Sequence, residues 1–179
     1  KGSQRISASH VLVSVGRTPN TQDLNLQAAK VSTNQKGFVV VDQKLKTAAN
    51  TIFAIGDVIG PPFLAHRASQ HGLVAASVIA GQSQILDYRA MPSAIFTDPE
   101  IATVGLTQAE AEAQGYKTKV GKFPFAASGR ALASQATEGF VKVVADAQTD
   151  VLLGVQIMGA HASELIAEAA LAIELGACA

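Results

Sequence analysis

The sequence is short of several residue types, and each shortage excludes a class of protein. Its 179 residues include one cysteine, Cys178, so neither an internal disulfide framework nor a zinc site of four cysteines is expected. Tryptophan is absent, and charged residues make up only 16% of the chain. No uninterrupted apolar run reaches the roughly 18 residues that a bilayer requires, so the sequence predicts no transmembrane helix.

Charge of one sign is also missing, because 14 Lys and Arg residues balance 14 Asp and Glu residues. Such a chain lacks the basic surface that attracts nucleic acid or anionic membranes. The first residues, KGSQRISASH, have no apolar signal-peptide core, so nothing indicates secretion. With a hydrophobic fraction of 48%, disorder is excluded as well. We expect a globular protein of intracellular type.

Several sequence motifs of catalysis are absent. There is no G-x-G-x-x-G or G-x-x-x-x-G-K-[ST] loop to hold phosphates, no H-E-x-x-H and no G-x-S-x-G. His66 and His71 do not share a helix face, and His161 precedes Glu164 without a second ligand nearby, so no metal site is expected. Cys178 has no C-x-x-C partner, which favours a buried or incidental thiol over a nucleophile. The residues by themselves form no complete catalytic set.

The first half of the chain has the pattern of an α/β protein. Short β-rich runs cover residues 10–15, 38–41 and 51–55, and the first of them is apolar enough to predict a strand buried on both faces. An Ala-rich stretch predicts a helix over 65–80, ended by Gly81.

The character changes at the polar stretch 83–89, which we interpret as a domain boundary. Beyond it the pattern predicts antiparallel strands, with a hairpin loop over 146–150, at residues 94–96, 101–104, 140–144 and 153–157.

Two helices are predicted among these strands. Thr107 and Glu110 have the spacing of a capping box, which predicts a short helix running to Gly115. A final helix is predicted over 163–175 with Gly176 as its cap. Small residues on this last helix fit core packing and a subunit interface equally well.

Three local features could bind a ligand. Asp57 follows a predicted strand and Gly56, where a carboxylate can accept hydrogen bonds from sugar or polyol hydroxyls. Residues 61–66 lead into a helix, whose N-terminus favours an electron-rich group. Gly16 allows close backbone approach, and Arg17 offers a fork of donors. The alternatives are a simple turn at Asp57, an ordinary helix start, and a turn with a solvated arginine.

Five blocks of sequence, in unbroken order, carry a resemblance to a known family. They are VLVSVGRTPN (11–20), TIFAIGDVIGPPFLAHRA (51–68), MPSAIFTDPEIATVGLT (91–107), SGRALA (128–133) and EGFVKVVADAQTDVLLGVQIMGAHASELIAEAALAIE (138–174). Together they resemble the flavin-dependent pyridine nucleotide–disulfide oxidoreductases, and most closely the dihydrolipoyl dehydrogenase branch. GRTPNT and TDPE also occur in mercuric-reductase-like members, which remain an alternative.

The resemblance implies an α+β fold class: an interface (dimerisation) domain with an antiparallel sheet and helices, preceded by partial α/β FAD- and NAD-binding segments. On this basis residues 1–50 are the tail of the NAD-binding domain and residues 51–87 are the C-terminal segment of the FAD-binding domain. Residues 88–179 are the interface domain, truncated at its C-terminus.

The resemblance also implies cofactor-binding residues. Gly16 is expected at the NAD site, and Asp57 is expected to bind the ribityl or phosphate-side hydroxyls of FAD. The backbone expected to lie against the isoalloxazine ring belongs to Phe63, Leu64, Ala65 and His66, with Ala65 as the best single candidate. No catalytic or metal-binding residue is expected in this stretch.

The implied activity is oxidation of dihydrolipoamide with NAD⁺ through FAD and a redox disulfide. The implied partners are a second subunit, as a homodimer, and the other components of 2-oxo-acid dehydrogenase complexes, in the cytoplasm or the mitochondrial matrix. In the family, the redox cysteines and the glycine fingerprints correspond to positions before Lys1, and the His–Glu base to positions after Ala179. We therefore expect a catalytically inactive stretch of a longer enzyme; the alternative is a non-catalytic dimerisation module.

Overall fold

A computed structural model describes residues 4–179, which divide into two compact units. We call Lys1–Leu86 the N-terminal unit and Asp87–Ala179 the C-terminal unit. The division falls inside the polar stretch 83–89. The finer boundaries at residues 50 and 87 stay predictions.

The N-terminal unit has one long helix and little other regular structure. Helix α1, Ala65–Ile79, confirms the helix predicted from the Ala-rich stretch, and Gly81 follows it with φ +85°. Two 3-10 helices precede it, at Gln22–Leu24 and Gly56–Ile59.

The three strands predicted for this unit are not found among residues 4–86. Runs 38–41 and 51–55 form only isolated antiparallel bridges, which pair Thr33 with Val39 and Lys46 with Phe53. Run 10–15 has no strand conformation, and its valine and leucine side chains are 73–92% exposed. The buried strand predicted there is wrong. A strand needs hydrogen-bonded neighbours along its edges, and no described segment pairs with this run.

The core of the N-terminal unit lies beneath α1. Leu45, Val74 and Ala75 are buried, with Leu45 fully so. The half-buried residues that pack around them are Val41, Phe53, Ile59, Val78 and Leu86. Val74 and Val78 are one helical turn apart, so one face of α1 covers the 41–59 segment.

The C-terminal unit is built on a five-stranded antiparallel sheet of order β1-β2-β5-β4-β3. Its strands are β1 Ser93–Ile95, β2 Ile101–Gly105, β3 Thr118–Pro124, β4 Phe140–Asp146 and β5 Leu152–Met158. Its α-helices are α2 Gln108–Ala113, α3 Gly129–Ala133 and α4 Ala162–Glu174. The antiparallel sheet with helices confirms the predicted fold class, as do the four predicted strands, the β4–β5 hairpin, α2 and α4.

Strand β3 and helix α3 were missed by the sequence analysis. Strand β3 lies at the edge of the sheet, paired only with β4, and six of its seven residues are exposed. It therefore has no apolar alternation to reveal it. Helix α3 spans only five residues, beginning where Ser128 Oγ accepts the Ala131 amide at 3.4 Å.

Helix α4 covers one face of the sheet. The buried residues at this contact are Ala102, Val104, Val155 and Ile157 from β2 and β5, and Ala162, Ile166 and Ile173 from α4. Alternate residues of β2 are buried, as expected for a strand with one face on the core. The buried residues of this cluster all belong to the C-terminal unit.

Carboxylates hold both ends of α4. Glu100 accepts the amide of Ser163 at 2.9 Å and its hydroxyl at 2.7 Å, whereas His161, at the N-cap position with φ +61°, makes no side-chain cap. At the other end, Glu174 Oε1 accepts the amides of Arg89 and Ala90, both at 2.8 Å. The first turn of α4 is thus attached to the residue before β2, and its last turn to the segment at the start of the unit.

The capping box of α2 is confirmed. Thr107 Oγ1 accepts the Glu110 amide at 3.3 Å, and the Glu110 carboxylate accepts the Thr107 amide at 2.8 Å. Hydrogen bonds from the Thr107 amide and hydroxyl lower the pKa of Glu110 below its ordinary value.

Candidate functional site

An arginine and a carboxylate meet on the surface of the N-terminal unit. Arg17 Nη1 donates to Asp57 Oδ2 at 3.1 Å, and the two side chains remain 71% and 49% exposed. An exposed ion pair contributes only about 0–1 kcal/mol to stability. The pair therefore contributes little to holding the unit together.

Asp57 lies in a tight turn that ends an extended segment. Ile55 is extended, and Asp57 is the second residue of the 3-10 helix Gly56–Ile59. Gly56 has φ +71°, and a Cβ built there would lie 3.0 Å from the Cβ of Ala68. Both the backbone conformation and the close approach of α1 therefore require glycine at this position. The turn leaves the Asp57 carboxylate facing outward.

Two cavities share the walls around this ion pair. The larger, of about 650 Å³, is lined by Gly16, Arg17, Asn34, Gln35, Lys36, Phe38, Ile59, Gly60, Pro61 and Phe63. The smaller, of about 300 Å³, is lined by Arg17, Thr18, Pro19, Asn20, Phe38, Asp57, Val58 and Phe63. The rings of Phe38 and Phe63 lie 5.9 Å apart and form a common aromatic wall. Cationic donors beside an aromatic wall suit a ligand with both phosphate and ring components.

The first turn of α1 begins next to these cavities. Leu64 is the N-cap residue, and its side chain makes no capping hydrogen bond. A helix N-terminus carries a partial positive charge, so this end of α1 can face an electron-rich group. Ala65 and His66 are exposed there, and Leu64 is half-buried.

The structure brings three of the six predicted site residues onto the cavities. Gly16 lines the larger cavity, Asp57 the smaller, and Phe63 both. Leu64, Ala65 and His66 follow at the start of α1 and are not among the described lining residues.

Two side chains of α1, which were not predicted as site residues, form hydrogen bonds with the backbone of the turn around Asp57. Arg67 Nη1 donates to the carbonyl oxygens of Gly60 at 2.7 Å and Pro62 at 2.9 Å. His71 Nδ1 accepts the Gly56 amide at 3.2 Å, and the imidazole is fully buried. Their spacing of four places both side chains on one face of the helix, which is the signal in the sequence that could have identified them.

Burial and the nearby Arg67 charge lower the pKa of His71 below its ordinary value of 6.5. Both effects disfavour the imidazolium. The ring is therefore neutral at physiological pH, as an acceptor at Nδ1 requires.

Other candidate chemistries find less support in the part of the chain that the structure describes. No group of three His, Cys, Asp or Glu side chains among residues 4–179 is placed to hold a metal ion. Within the same range no helix is long and apolar enough to cross a membrane. Cys178 is exposed, so it is not a buried thiol, and its Sγ lies 3.7 Å from the Thr149 carbonyl oxygen.

Comparison with known families decides between these chemistries. The model for the pyridine nucleotide-disulphide oxidoreductases matches residues 1–72, and the model for the dimerisation domain of the same family matches residues 91–179. The chain belongs to this family. The resemblance identified from the sequence blocks is thereby confirmed.

The chain is also similar to curated enzymes of the family. It is 52% identical over 177 residues to a dihydrolipoyl dehydrogenase of Thermus scotoductus, covering 98% of this chain and 38% of the relative. With a dihydrolipoyl dehydrogenase of Halobacterium salinarum it shares 56% identity over 167 residues, covering 93% of this chain and 35% of the relative. The chain thus spans little more than a third of the length of these relatives.

Solved structures of the family have the same fold. LpdA from Mycobacterium tuberculosis matches with a TM-score of 0.85 at 31% identity, covering 94% of this chain and 37% of that chain. The HOCl-induced flavoprotein disulfide reductase RclA from Escherichia coli matches with a TM-score of 0.85 at 28% identity, covering 92% and 38%.

Proposed function

We propose that the chain is part of an NAD-dependent dihydrolipoyl dehydrogenase, which oxidises dihydrolipoamide with NAD⁺ through FAD and a redox disulfide. The names of relatives with about half of their aligned residues identical, over nearly all of this chain, support the substrate. The structural observation that carries the cofactor assignment is the exposed Asp57 carboxylate on the wall of the smaller cavity.

The residues around Asp57 fit a flavin nucleotide. Arg17 occupies one lone pair of Oδ2, which leaves acceptor capacity on the carboxylate for ribityl or phosphate-side hydroxyls. The backbone of Phe63, Leu64, Ala65 and His66, at the positive end of α1, would face the electron-rich edge of the isoalloxazine ring. When bound, FAD supplies the two-electron relay between the disulfide and NAD⁺. The role of the protein is to position and tune it.

Gly16 is proposed to contact NAD. It lines the larger cavity with Arg17 and Lys36, two cations that can pair with phosphates. Its φ is +126°, and a Cβ built there would meet no atom within 4 Å. The open space leaves room for a ligand against the backbone.

The C-terminal unit is proposed to be the interface domain of a homodimer, spanning residues 88–179. The dimerisation-domain match and the exposed apolar side chains Leu165 and Leu171 on α4 support this. Assembly with 2-oxo-acid dehydrogenase complexes and a cytoplasmic location follow from the proposed activity.

This stretch is proposed to lack the catalytic groups of the reaction. A redox disulfide needs two cysteines, and the sequence has one. Purified chain should therefore produce no NADH from dihydrolipoamide and NAD⁺. Lipoamide-dependent NADH production by the chain alone would overturn this part of the proposal.

A chimeric enzyme tests the function directly. In the Thermus scotoductus relative, the stretch aligned over 177 residues is replaced by the corresponding residues of this chain. We expect a dimer that retains flavin through gel filtration and reduces NAD⁺ with dihydrolipoamide. The matched variant Asp57→Asn keeps the shape of the side chain and removes its charge, and FAD should bind about tenfold more weakly because a charge-assisted hydrogen bond is weakened.

The outcomes separate the parts of the proposal. A folded, dimeric chimera that never acquires flavin would refute the cofactor assignment. A flavin-loaded chimera that reduces another disulfide or mercuric ion, but not NAD⁺ with dihydrolipoamide, would refute the substrate assignment alone. Equal FAD affinity in the parent chimera and Asp57→Asn would remove Asp57 from the site.

A further inference from the structure

We propose that His71 is a positioning residue of the flavin site, which holds the Gly56 amide through Nδ1 and thereby fixes the turn that presents Asp57. The inference rests on the proposed function, because the purpose of the turn is to place Asp57 against FAD. The contact itself is independent of that assignment.

The turn is held from both ends by one face of α1. His71 accepts the amide of Gly56, where the 3-10 helix begins, and Arg67 donates to the carbonyl oxygen of Gly60, where it ends. Arg67 and His71 are four residues apart and so lie on the same side of the helix. We call this pair the α1 clamp.

The clamp acts on Asp57 through the backbone. Gly56 is buried against α1, whereas the Asp57 side chain points to solvent with 49% exposure. A carboxylate on a turn that is already fixed loses less conformational freedom when a ligand binds, so affinity is higher. Removing the His71 contact should weaken binding without removing any group that touches the ligand.

The chemistry of the ring indicates a role beyond packing. Since the Gly56 amide donates to Nδ1, the proton of the neutral ring is on Nε2. Nε2 is buried and has no hydrogen-bond partner among the described residues. A buried unpartnered N–H is unfavourable, and an apolar side chain of similar size would avoid it. An apolar residue at position 71 would, however, leave the Gly56 amide without the acceptor that Nδ1 provides.

Protonation of His71 would open the clamp, because both ring nitrogens would then be donors and Gly56 would lose its acceptor. The titratable or charged side chains on the elements that contact the ring are His66 and Arg67 of α1 and Asp57 of the turn that begins at Gly56. Burial and the Arg67 charge lower the pKa of His71, so the clamp is closed at neutral pH and opens on acidification.

Two substitutions at one position separate the contact from the bulk of the ring. In His71→Asn, the amide oxygen occupies the place of Nδ1 and does not titrate. In His71→Gln, the acceptor lies about one bond further along, near the place of Nε2. Asparagine should therefore rescue the contact, and glutamine should not.

The first measurement is hydrogen exchange of the Gly56 amide in the 179-residue chain, which needs no cofactor. We expect about tenfold faster exchange in His71→Gln than in the wild type, from loss of one buried hydrogen bond, and wild-type protection in His71→Asn. Equal protection in all three proteins would overturn the clamp, as would equal loss in both variants.

The second measurement is FAD affinity of the deflavinated chimera, recorded against pH. We expect His71→Gln to bind about tenfold more weakly and His71→Asn within about threefold of the parent chimera. On acidification through the lowered pKa of His71, the affinity of the parent should fall as the ring protonates, while that of His71→Asn should stay flat. If Asp57→Asn weakens binding but His71→Gln does not, this inference is wrong and the flavin site stands. If Asp57→Asn has no effect, the flavin site is wrong and Gly56 exchange alone decides the clamp.

Discussion

The two units differ in how they satisfy their backbone hydrogen bonds. The C-terminal unit pairs five strands in one ladder and covers a face of it with α4. Among residues 4–86, the N-terminal unit has only isolated bridges, short 3-10 helices and α1, and its run 10–15 is exposed. The unit with the more regular fold is therefore not the one that carries the candidate site.

Asp57 differs from the carboxylates that accept backbone amides, which occur in both units and include Asp42 of the N-terminal unit. In the C-terminal unit Glu100, Glu110 and Glu174 accept backbone amides and act as structural caps. In the N-terminal unit Asp57 meets Arg17 in solvent at the edge of two cavities. The comparison indicates that stability and ligand recognition are assigned to different parts of the chain, which substitutions in each unit can test.

The largest effect is expected from Gly154→Ala in β5. A Cβ there would overlap the carbonyl oxygen of Leu106, a backbone atom that cannot move aside. We expect a loss of about 3 kcal/mol in the free energy of unfolding, typical of severe overpacking. Both tyrosines, Tyr88 and Tyr116, lie in the C-terminal unit, so tyrosine fluorescence in urea reports its unfolding.

The matched control for this change is Gly121→Ala in β3. A Cβ there meets nothing within 4 Å, and its φ is not positive, so stability should change by less than about 0.5 kcal/mol. Equal midpoints for the two variants would contradict the close approach between β5 and the Leu106 backbone.

The next effect compares two valines of opposite environment. Val104 is 1% exposed in β2 and Val15 is 92% exposed. We expect Val104→Ala to cost about 2 kcal/mol from lost burial and the cavity left behind, and Val15→Ala about 0.5 kcal/mol or less. Thermal unfolding by circular dichroism measures both. If Val15→Ala were as costly as Val104→Ala, run 10–15 would be buried in solution and the contrast between the units would fail.

A smaller effect is expected at the capping box of α2. Thr107→Ala removes the acceptor of the Glu110 amide and should cost about 1 kcal/mol, while Thr107→Ser keeps the hydroxyl and most of the stability. Urea unfolding followed by tyrosine fluorescence checks this. Equal losses in alanine and serine variants would show that the methyl group, and not the cap, is responsible.

The subtlest difference is the acid range in which each unit weakens. Hydrogen bonds lower the pKa values of Glu100, Glu110, Glu112 and Asp146 in the C-terminal unit. Their contribution is present above the ordinary values of 4.5 and 3.8 and is lost as the pH falls through the lowered ones. The lowered pKa of His71 gives the N-terminal unit a contribution that is present above 6.5 and lost on acidification.

Weakening on acidification should therefore start at higher pH in the N-terminal unit. Hydrogen exchange of α1 amides reports that unit, and tyrosine fluorescence in urea reports the other. In His71→Asn the early weakening should vanish and the late one remain. If both units weakened over the same pH range, the proposed difference between them would be wrong.

The sequence predicted elements wherever a local pattern sufficed. The Ala-rich run before Gly81 and the spacing of Thr107 and Glu110 each specify their element over a few residues. Strand β3 could not be predicted, because an exposed edge strand with lysines and Gly121 needs no apolar face. Run 10–15 was predicted as a strand on composition alone, whereas a strand depends on a neighbour that composition does not reveal.

The sequence singled out positions that the structure places on the cavities, and their roles toward a cofactor stay predictions. Gly16, Asp57 and Phe63 were recognised from turns and a helix start, and the structure places them on shared cavities. The α1 clamp was missed because His71 contacts a backbone amide, and such a contact leaves no residue-type signature at its other end.

The contact of Glu174 with the amides of Arg89 and Ala90 joins residues 85 positions apart in the chain. It brings the last turn of α4 next to the point where the C-terminal unit begins. Because this contact links two distant parts of the chain, the amides of Arg89 and Ala90 and those of the last turn of α4 should gain and lose protection from hydrogen exchange together.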